Sequence, residues 1–326
     1  MKILILGGTR FVGRHVARLL IQRGAEVTLL HRGVTGEPID GAVSLTGDRG
    51  RPDGLDAIEE RRFDAVVDMS AYFSQWTREA ADRLTGRVSH YVFISSGAVY
   101  RPNAELPWPE STPFGPIPIW GQYGREKVAS EEILWRAQAD GRFAVTSFRF
   151  PFILGPGNFA DRESFVIGRL AARRPVLLPG GGTALNQFVY AEDVGRAIVA
   201  ALERPDRAGG EAYNCTYAKP ITNRGWVELC ADVLGIEANL VEIDEAELGV
   251  SSPTVDLANI VFPYPPEHYV LDGSKLTREL GVEMTTPNRR MIQEYAAWWE
   301  ALERKPELRP YQRENAALAA LGLPTI

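Results

Sequence analysis

Cysteine is scarce: the 326 residues contain two, Cys215 and Cys230. Two thiols allow one bridge at most, build no disulfide framework and stand at no metal-ligand spacing, so both read as reduced core thiols and no metal is expected. Long apolar runs are also missing. The N-terminal run ends in glycine after a few residues, too short for a signal peptide, and no stretch approaches a membrane span, which together predict a cytoplasmic location. Positive charge is not in excess, with a formal net charge of −6 and a pI near 5.5. No basic stripe runs through the chain, which argues against a dedicated nucleic-acid binder. Lysine supplies only five of the 36 basic residues, a bias read as genome composition, and the pairs Arg61-Arg62, Arg173-Arg174 and Arg289-Arg290 read as solvated helix faces. Internal repeats and low-complexity segments are absent.

What is present suits an enzyme with a large core. Hydrophobic residues make up 45% of the chain, enough for a nucleotide-binding domain and a smaller lobe. Lys2-Ile3-Leu4-Ile5-Leu6 reads as a buried strand that turns through Gly7-Gly8-Thr9-Arg10-Phe11-Val12-Gly13 into an amphipathic helix. In such a turn glycine lets the backbone approach a pyrophosphate, and the free N–H groups of the first helical turn attract it. Here Arg10 replaces the middle glycine of the usual pattern. Further along, Tyr123 and Lys127 are one helical turn apart on one face, so an ammonium can lower a phenol's pKa and the phenol can exchange a proton with a substrate oxygen. The strand His90-Tyr91-Val92-Phe93-Ile94 ends in Ser95-Ser96, and strand C-termini face the ligand in a doubly wound sheet.

Strand and helix patterns alternate, predicting an α/β doubly wound parallel sheet of Rossmann type. Further strands are expected at 26–31, 42–46, 64–69, 90–95 and 143–149. The alternation breaks at Gly155-Pro156-Gly157. Beyond it come a helix near 161–173, a Pro-Gly-Gly-Gly stretch at 179–182, a short strand and helix between 188 and 202, a Pro-rich loop at 263–266 and a helix near 287–301. The expected division is a dinucleotide-binding domain at 1–155, and a substrate lobe with a tail at 156–185 and 205–326.

Four ordered motifs resemble the extended or atypical short-chain dehydrogenase/reductases, the branch of NAD-dependent epimerases and dehydratases. They are the glycine turn, Ser95-Ser96-Gly97-Ala98-Val99-Tyr100, the Tyr123/Lys127 pair, and Arg149-Phe150-Pro151-Phe152-Ile153-Leu154-Gly155-Pro156. The wording Gly-Gly-Thr-Arg-Phe-Val-Gly is similar to an atypical subgroup that also contains chloroplast RNA-binding relatives. The resemblance implies that residues 186–204 return to the sheet. It implies a catalytic set of Ser96 on the substrate oxygen, Tyr123 transferring the proton, and Lys127 holding the nicotinamide ribose. It also implies cofactor contacts from Gly7, Thr9, Arg10, Phe11, Val12, Gly13, Met69, Ser70, Ala71 and Phe150. Asp48 would meet the adenine amino group or simply form a turn; Tyr72 and Asn186 would face substrate or, for Tyr72, merely pack. Ser95 reads as a strand-end cap.

The second strand ends in His31-Arg32-Gly33, not in the acidic residue that accepts ribose hydroxyls. Arg32 can pair with a 2′-phosphate, which favours NADP(H); an Arg32 that is merely exposed or stacks on adenine leaves NAD(H) acceptable. Two departures bear on substrate. Phe152 and Asn186-Gln187 stand where nucleotide-sugar enzymes carry diphosphate-binding groups, and Gly97-Ala98 stands where dehydratases carry an acid pair. A simpler polyhydroxylated substrate, a sugar, nucleoside or cyclitol, is therefore expected, oxidised, reduced or epimerised at a secondary alcohol or ketone. The other reading is a non-catalytic or RNA-binding member of the same fold. The resemblance also implies a homodimer built on helices 74–86 and that of Tyr123, with Trp76, Leu84, Ile133 and Trp135 as apolar surface.

Overall fold

The computed structural model describes residues 1–34, 36–102, 105–115, 118–251, 259–303, 305 and 307–326. The first half alternates β1 (Lys2–Leu6), α1 (Phe11–Gln22), β2 (Glu26–His31), β3 (Ala42–Thr46), β4 (Ala65–Asp68), α2 (Ser74–Leu84), β5 (His90–Ile94), α3 (Gly121–Ala139) and β6 (Ala144–Arg149). There follow β7 (Phe152–Leu154), α4 (Glu163–Ala171), β8 (Val176–Pro179), β9 (Leu185–Asn186), β10 (Phe188–Tyr190), α5 (Ala191–Glu203), α6 (Pro205–Ala208) and β11 (Glu211–Asn214). The chain ends with β12 (Ile221–Thr222), α7 (Asn223–Leu234), β13 (Leu240–Ile243), α8 (Ser274–Leu280), α9 (Asn288–Glu300) and α10 (Gln312–Ala320).

Seven strands form one parallel sheet in the order β11-β6-β5-β4-β1-β2-β3. The order in which strands are laid down reverses between β1 and β4, which leaves a crevice at their C-terminal ends. The two-residue period of a strand sorts its side chains between faces. Ile3 and Ile5 join Val16, Leu20, Val194 and Ile198 of α1 and α5, whereas Leu4 and Leu6 join Ala80, Leu84 and Leu134 of α2 and α3. Burying a side chain of that size contributes about 1.5–3 kcal/mol. Helix α1 forms because Val12, Val16 and Leu20 repeat every fourth residue on the buried face, and it stops before Gly24, whose φ is +78°.

The expected return of 186–204 to the sheet takes a different form. Strand β10 pairs in parallel with β7, Phe188 opposite Phe152, in a separate two-stranded sheet. Helix α5 does return and packs in the α1 cluster, and the seventh strand is β11, paired with β6. A second apolar cluster holds the C-terminal lobe, with Phe152, Phe188, Trp226, Tyr264 and Tyr269 at its centre. Helix α10 is tied to this lobe by a buried ion pair in which Arg169 Nε donates to Glu314 Oε1 at 2.6 Å. Both cysteines are free and buried. Among the described residues no helix is long and apolar enough to cross a membrane, and no group of His, Cys, Asp or Glu could hold a metal ion. Leu84, expected on an intersubunit surface, is fully buried inside the subunit, while Trp76, Ile133 and Trp135 are half-buried.

Candidate active site

The crevice floor is the glycine turn. Gly7 and Gly8 have φ near +95°, which only glycine adopts freely, and a β-carbon on Gly13 would lie 2.3 Å from Gly8 Cα. Gly7 faces Ser70, whose Cβ would be 3.2 Å from an added Cβ. Arg10 occupies the N-cap of α1 in extended conformation without a side-chain cap, and Phe11 carries a φ of +45°. Thr9 and Phe11 are half-buried and Val12 is buried. The loop after β2 folds onto this turn, since a β-carbon on Gly36 would lie 2.4 Å from Thr9 O. Uncapped helical N–H groups beside left-handed glycines fit a pyrophosphate. From β4, Met69 and Ser70 are half-buried and Ala71 is buried; Ser70 Oγ donates to Leu6 O at 3.1 Å.

Beneath these residues lies an ion pair that the sequence reading missed. Arg49 Nη1 and Nη2 meet both oxygens of Asp68 at 2.5 and 3.0 Å, and Tyr91 Oη donates to the same carboxylate at 2.6 Å. Arg49 Nη2 also donates to Trp76 O at 2.8 Å, joining β4 to α2. Asp48 accepts from Gly50 N at 3.0 Å and so closes a turn. Arg32 is exposed and makes no ion pair among the described residues. Its charge, like that of Arg10, favours ionisation of Tyr72, although burial dominates and pushes that phenol up.

At the end of β5 the two serines divide their work. Ser95 Oγ donates to Glu131 Oε1 at 2.5 Å, and Glu131 in turn takes Arg149 in a two-pronged buried pair at 2.9 and 2.6 Å. Burial acts to raise the Glu131 carboxyl, but Arg149 outweighs it and holds it below the ordinary carboxylate range. Arg149 Nη1 also donates to Tyr100 Oη, fastening α3 and β6 to the segment after β5. Ser96 caps the short helical turn Gly97–Val99 by accepting from Ala98 N at 3.2 Å. Its hydroxyl also lies near enough to the phenols of Tyr123 and Tyr269 to favour their ionisation.

Tyr123 is 41% exposed, open to the cleft, and lies close enough to Tyr72, itself 46% exposed, to disfavour ionisation of the Tyr72 phenol. Burial of the hydroxyl end raises the Tyr123 pKa, and Ser96 and Arg162 pull it down. The ammonium of Lys127, the cation expected beside this phenol, donates to Ile94 O at 2.7 Å and lies 5.9 Å from the Tyr123 ring centroid, near Phe93. Lys127 is 5% exposed, and burial lowers its pKa to about 8 against the attraction of Asp68.

Two expected site residues do not open to the cleft. Asn186 is 0% exposed and donates to Asn223 Oδ1 at 2.8 Å, pinning β9 to the start of α7. Phe150 is buried beside Phe148, and it is its carbonyl that meets the site, accepting from Gly97 N at 2.8 Å. Groups from the C-terminal lobe take their place. Tyr269 is held by Trp108, Trp120 and Phe152 at 5.4–5.7 Å between ring centroids, and Arg162 lies over Phe152. Burial lifts the Glu163 carboxyl to about 7 despite two hydrogen bonds from Asn158. Arg10 crosses from the glycine turn to stack on Phe159, 4.6 Å from the ring centroid.

A parallel sheet with this strand order and a glycine turn at its switch point defines a dinucleotide-binding α/β protein. The model of the NAD dependent epimerase/dehydratase family matches residues 3–216, and the chain belongs to that family of extended short-chain dehydrogenase/reductase enzymes. The chloroplast stem-loop binding protein of 41 kDa b of Arabidopsis thaliana is 27% identical over 86% of this chain and 74% of its own. The UDP-glucose 4-epimerase of Azospirillum brasilense is 26% identical over 87% of this chain and 93% of its own. In fold, the chain is similar to the UDP-glucuronic acid 4-epimerase of Bacillus cereus in complex with UDP-glucuronic acid and NAD. There the TM-score is 0.74 at 17% identity, covering 91% of this chain and 98% of that one.

Proposed function

We propose that the chain is a nicotinamide-dependent oxidoreductase or epimerase acting on a secondary alcohol or ketone of a sugar-, nucleoside- or cyclitol-like molecule. The observation that carries this is the meeting of Ser96, Tyr123 and Lys127 at the end of β5, beside an uncapped helix N-terminus and left-handed glycines. The cofactor, when bound, supplies two-electron redox chemistry at the carbinol carbon. Gly7, Thr9, Gly13 and the start of α1 would hold its pyrophosphate, Met69, Ser70 and Ala71 would lie beneath it, and Arg32 would favour NADP(H) over NAD(H) by pairing with a 2′-phosphate.

Ser96 donates a hydrogen bond to the substrate oxygen, and Tyr123 gives or takes the proton there. A phenol whose pKa is raised by burial stays protonated near neutral pH and is ready to donate. Lys127, charged below about pH 8, would orient the ribose of a bound cofactor, and its charge would support the phenolate when the proton leaves. The reading includes a cytoplasmic location and a homodimer. Native mass spectrometry of the purified protein tests it: a retained nicotinamide dinucleotide is expected, and a protein that neither retains nor binds one under titration is not this enzyme. With a turned-over substrate, deuterated cofactor then separates reductase from epimerase, because only the reductase passes label into released product in step with cofactor consumption.

A further inference from the structure

Arg162 stands between two carboxylates and pairs with neither. Asp161 accepts from Ser164 Oγ and, at 2.6 Å, from Tyr311 Oη. Both oxygens of Glu163 accept from Asn158 Nδ2 at 2.9 Å. Arg162 makes no ion pair among the described residues, and its Nε is buried without a hydrogen-bond partner. What holds it is the face of Phe152, 5.2 Å from ring centroid to guanidinium carbon. Phe152 is itself wedged against Trp120, Phe188, Tyr264 and Tyr269 at 5.1–6.0 Å, so the cation has a fixed seat. Phe152 also packs on Tyr269 at 5.7 Å, and the Tyr269 hydroxyl lies against Gly97, next to Ser96, so the cation sits one aromatic layer from the candidate reaction centre, where its charge favours ionisation of Tyr123.

A partly desolvated guanidinium without an anion is unfavourable, and its planar fork matches a carboxylate or phosphate. The aromatic seat fixes the fork and supplies no full negative charge, so the missing partner has to arrive with the ligand. We infer that Arg162 is the anion-binding group of the substrate pocket, and that the substrate carries a compact oxyanion, a carboxylate or a phosphate monoester, close to the carbinol processed at Tyr123. This rests on the assignment of Ser96, Tyr123 and Lys127 as the reaction centre. An extended diphosphate finds less support, since Phe152 is apolar and Asn186 and Gln187 are buried in bonds to Asn223 and to the Leu271 amide.

The test is calorimetric titration of the full chain, loaded with nicotinamide dinucleotide, with glucuronate, glucose 6-phosphate and glucose. At least one of the two anionic sugars should bind ~10-fold or more tightly than glucose, and which one does so separates carboxylate from phosphate. Arg162→Gln should erase that advantage and Arg162→Lys should keep part of it. Should the glutamine variant fail to fold, the lysine variant against wild type carries the comparison, with a reduced preference expected. Equal binding of charged and neutral sugars, no binding of either anion up to ~10 mM, or a preference untouched by either substitution would each overturn the subsite. The two readings fail separately. Arg162-dependent anion binding by a protein that turns over no alcohol or ketone sinks the redox reading alone; turnover of a polyol by a protein that binds anionic sugars no better than neutral ones sinks the subsite alone.

Discussion

The hydroxyl of Tyr269 lies 2.1 Å from where a β-carbon on Gly97 would stand. The glycine is therefore what admits this phenol to the side of Ser96. Gly97→Ala should force Tyr269 away and cost about 1–3 kcal/mol, as overpacking typically does. Urea unfolding of the single variant and of Gly97→Ala with Tyr269→Phe checks the cause: the double variant should recover part of the loss. No recovery would mean that the strain arises elsewhere, for instance at Leu271, whose Cδ1 would be 2.9 Å away.

Tyr123→Phe should leave fold and cofactor affinity nearly unchanged while turnover falls ~100-fold or more, since one proton-transferring oxygen is lost. If the Tyr123→Phe variant works at close to the wild-type rate, the proposed proton route is excluded. A protein that acted only by binding RNA would not depend on that oxygen.

Lys127 predicts opposite pH trends for activity and stability. Its folded-state pKa, about 8, lies below the ordinary 10.5, so between those values the unfolded chain binds more protons than the native one. The cost of burying the ammonium is present in full below about pH 8 and is relieved as pH rises toward 10.5, so this group's contribution to stability improves in that window. Activity that needs the ammonium falls over the same range. A kcat/KM profile should therefore drop above pH 8. Lys127→Met should remove that limb and weaken cofactor binding; a limb that persists in the variant assigns the titration to another group.

Asp68→Asn leaves the Arg49 guanidinium buried without its counter-charge and should destabilise the protein by about 3–5 kcal/mol. Tyr91→Phe removes one hydrogen bond from the same carboxylate and should cost about 1 kcal/mol. Equal losses in thermal or urea unfolding would show that the charge pair is not the dominant element.

Arg32→Asp should weaken NADPH binding ~10-fold or more beyond any loss in NADH binding, because it sets a carboxylate where a 2′-phosphate would sit. Titration of both cofactors decides it, and parallel losses would show that Arg32 does not read the phosphate.

Six of the seven strands of the parallel sheet are legible in the sequence, the central ones because burial on both faces demands unbroken apolar runs such as Ile3-Leu4-Ile5-Leu6; β11, Glu211-Ala212-Tyr213-Asn214, has no such run. The pairing of Phe188 with Phe152 is not legible, since parallel partners meet through distant connections that leave no local period. The same holds for the site. Gly7, Tyr123 and Lys127 stand in local patterns that carry their chemistry, whereas Arg49, Arg162 and Tyr269 acquire theirs from residues far away in the chain. Asn186 illustrates the converse: its place beside a motif suggested a ligand contact, but the fold uses its amide to hold Asn223.

Arg10 and Phe159 belong to opposite walls of the crevice, and their stacking spans it. If nucleotide exchange requires those walls to part, the contact acts as a brake on departure. An exposed cation–π contact is worth about 0.5–1 kcal/mol, which corresponds to about two- to fivefold in a rate. Since Phe159 is 56% exposed, its removal disturbs little else, and Phe159→Ala should shorten the residence time of bound dinucleotide by that factor in a stopped-flow displacement experiment. An arginine in place of the usual glycine would then set how long each cofactor stays rather than how tightly the turn can close.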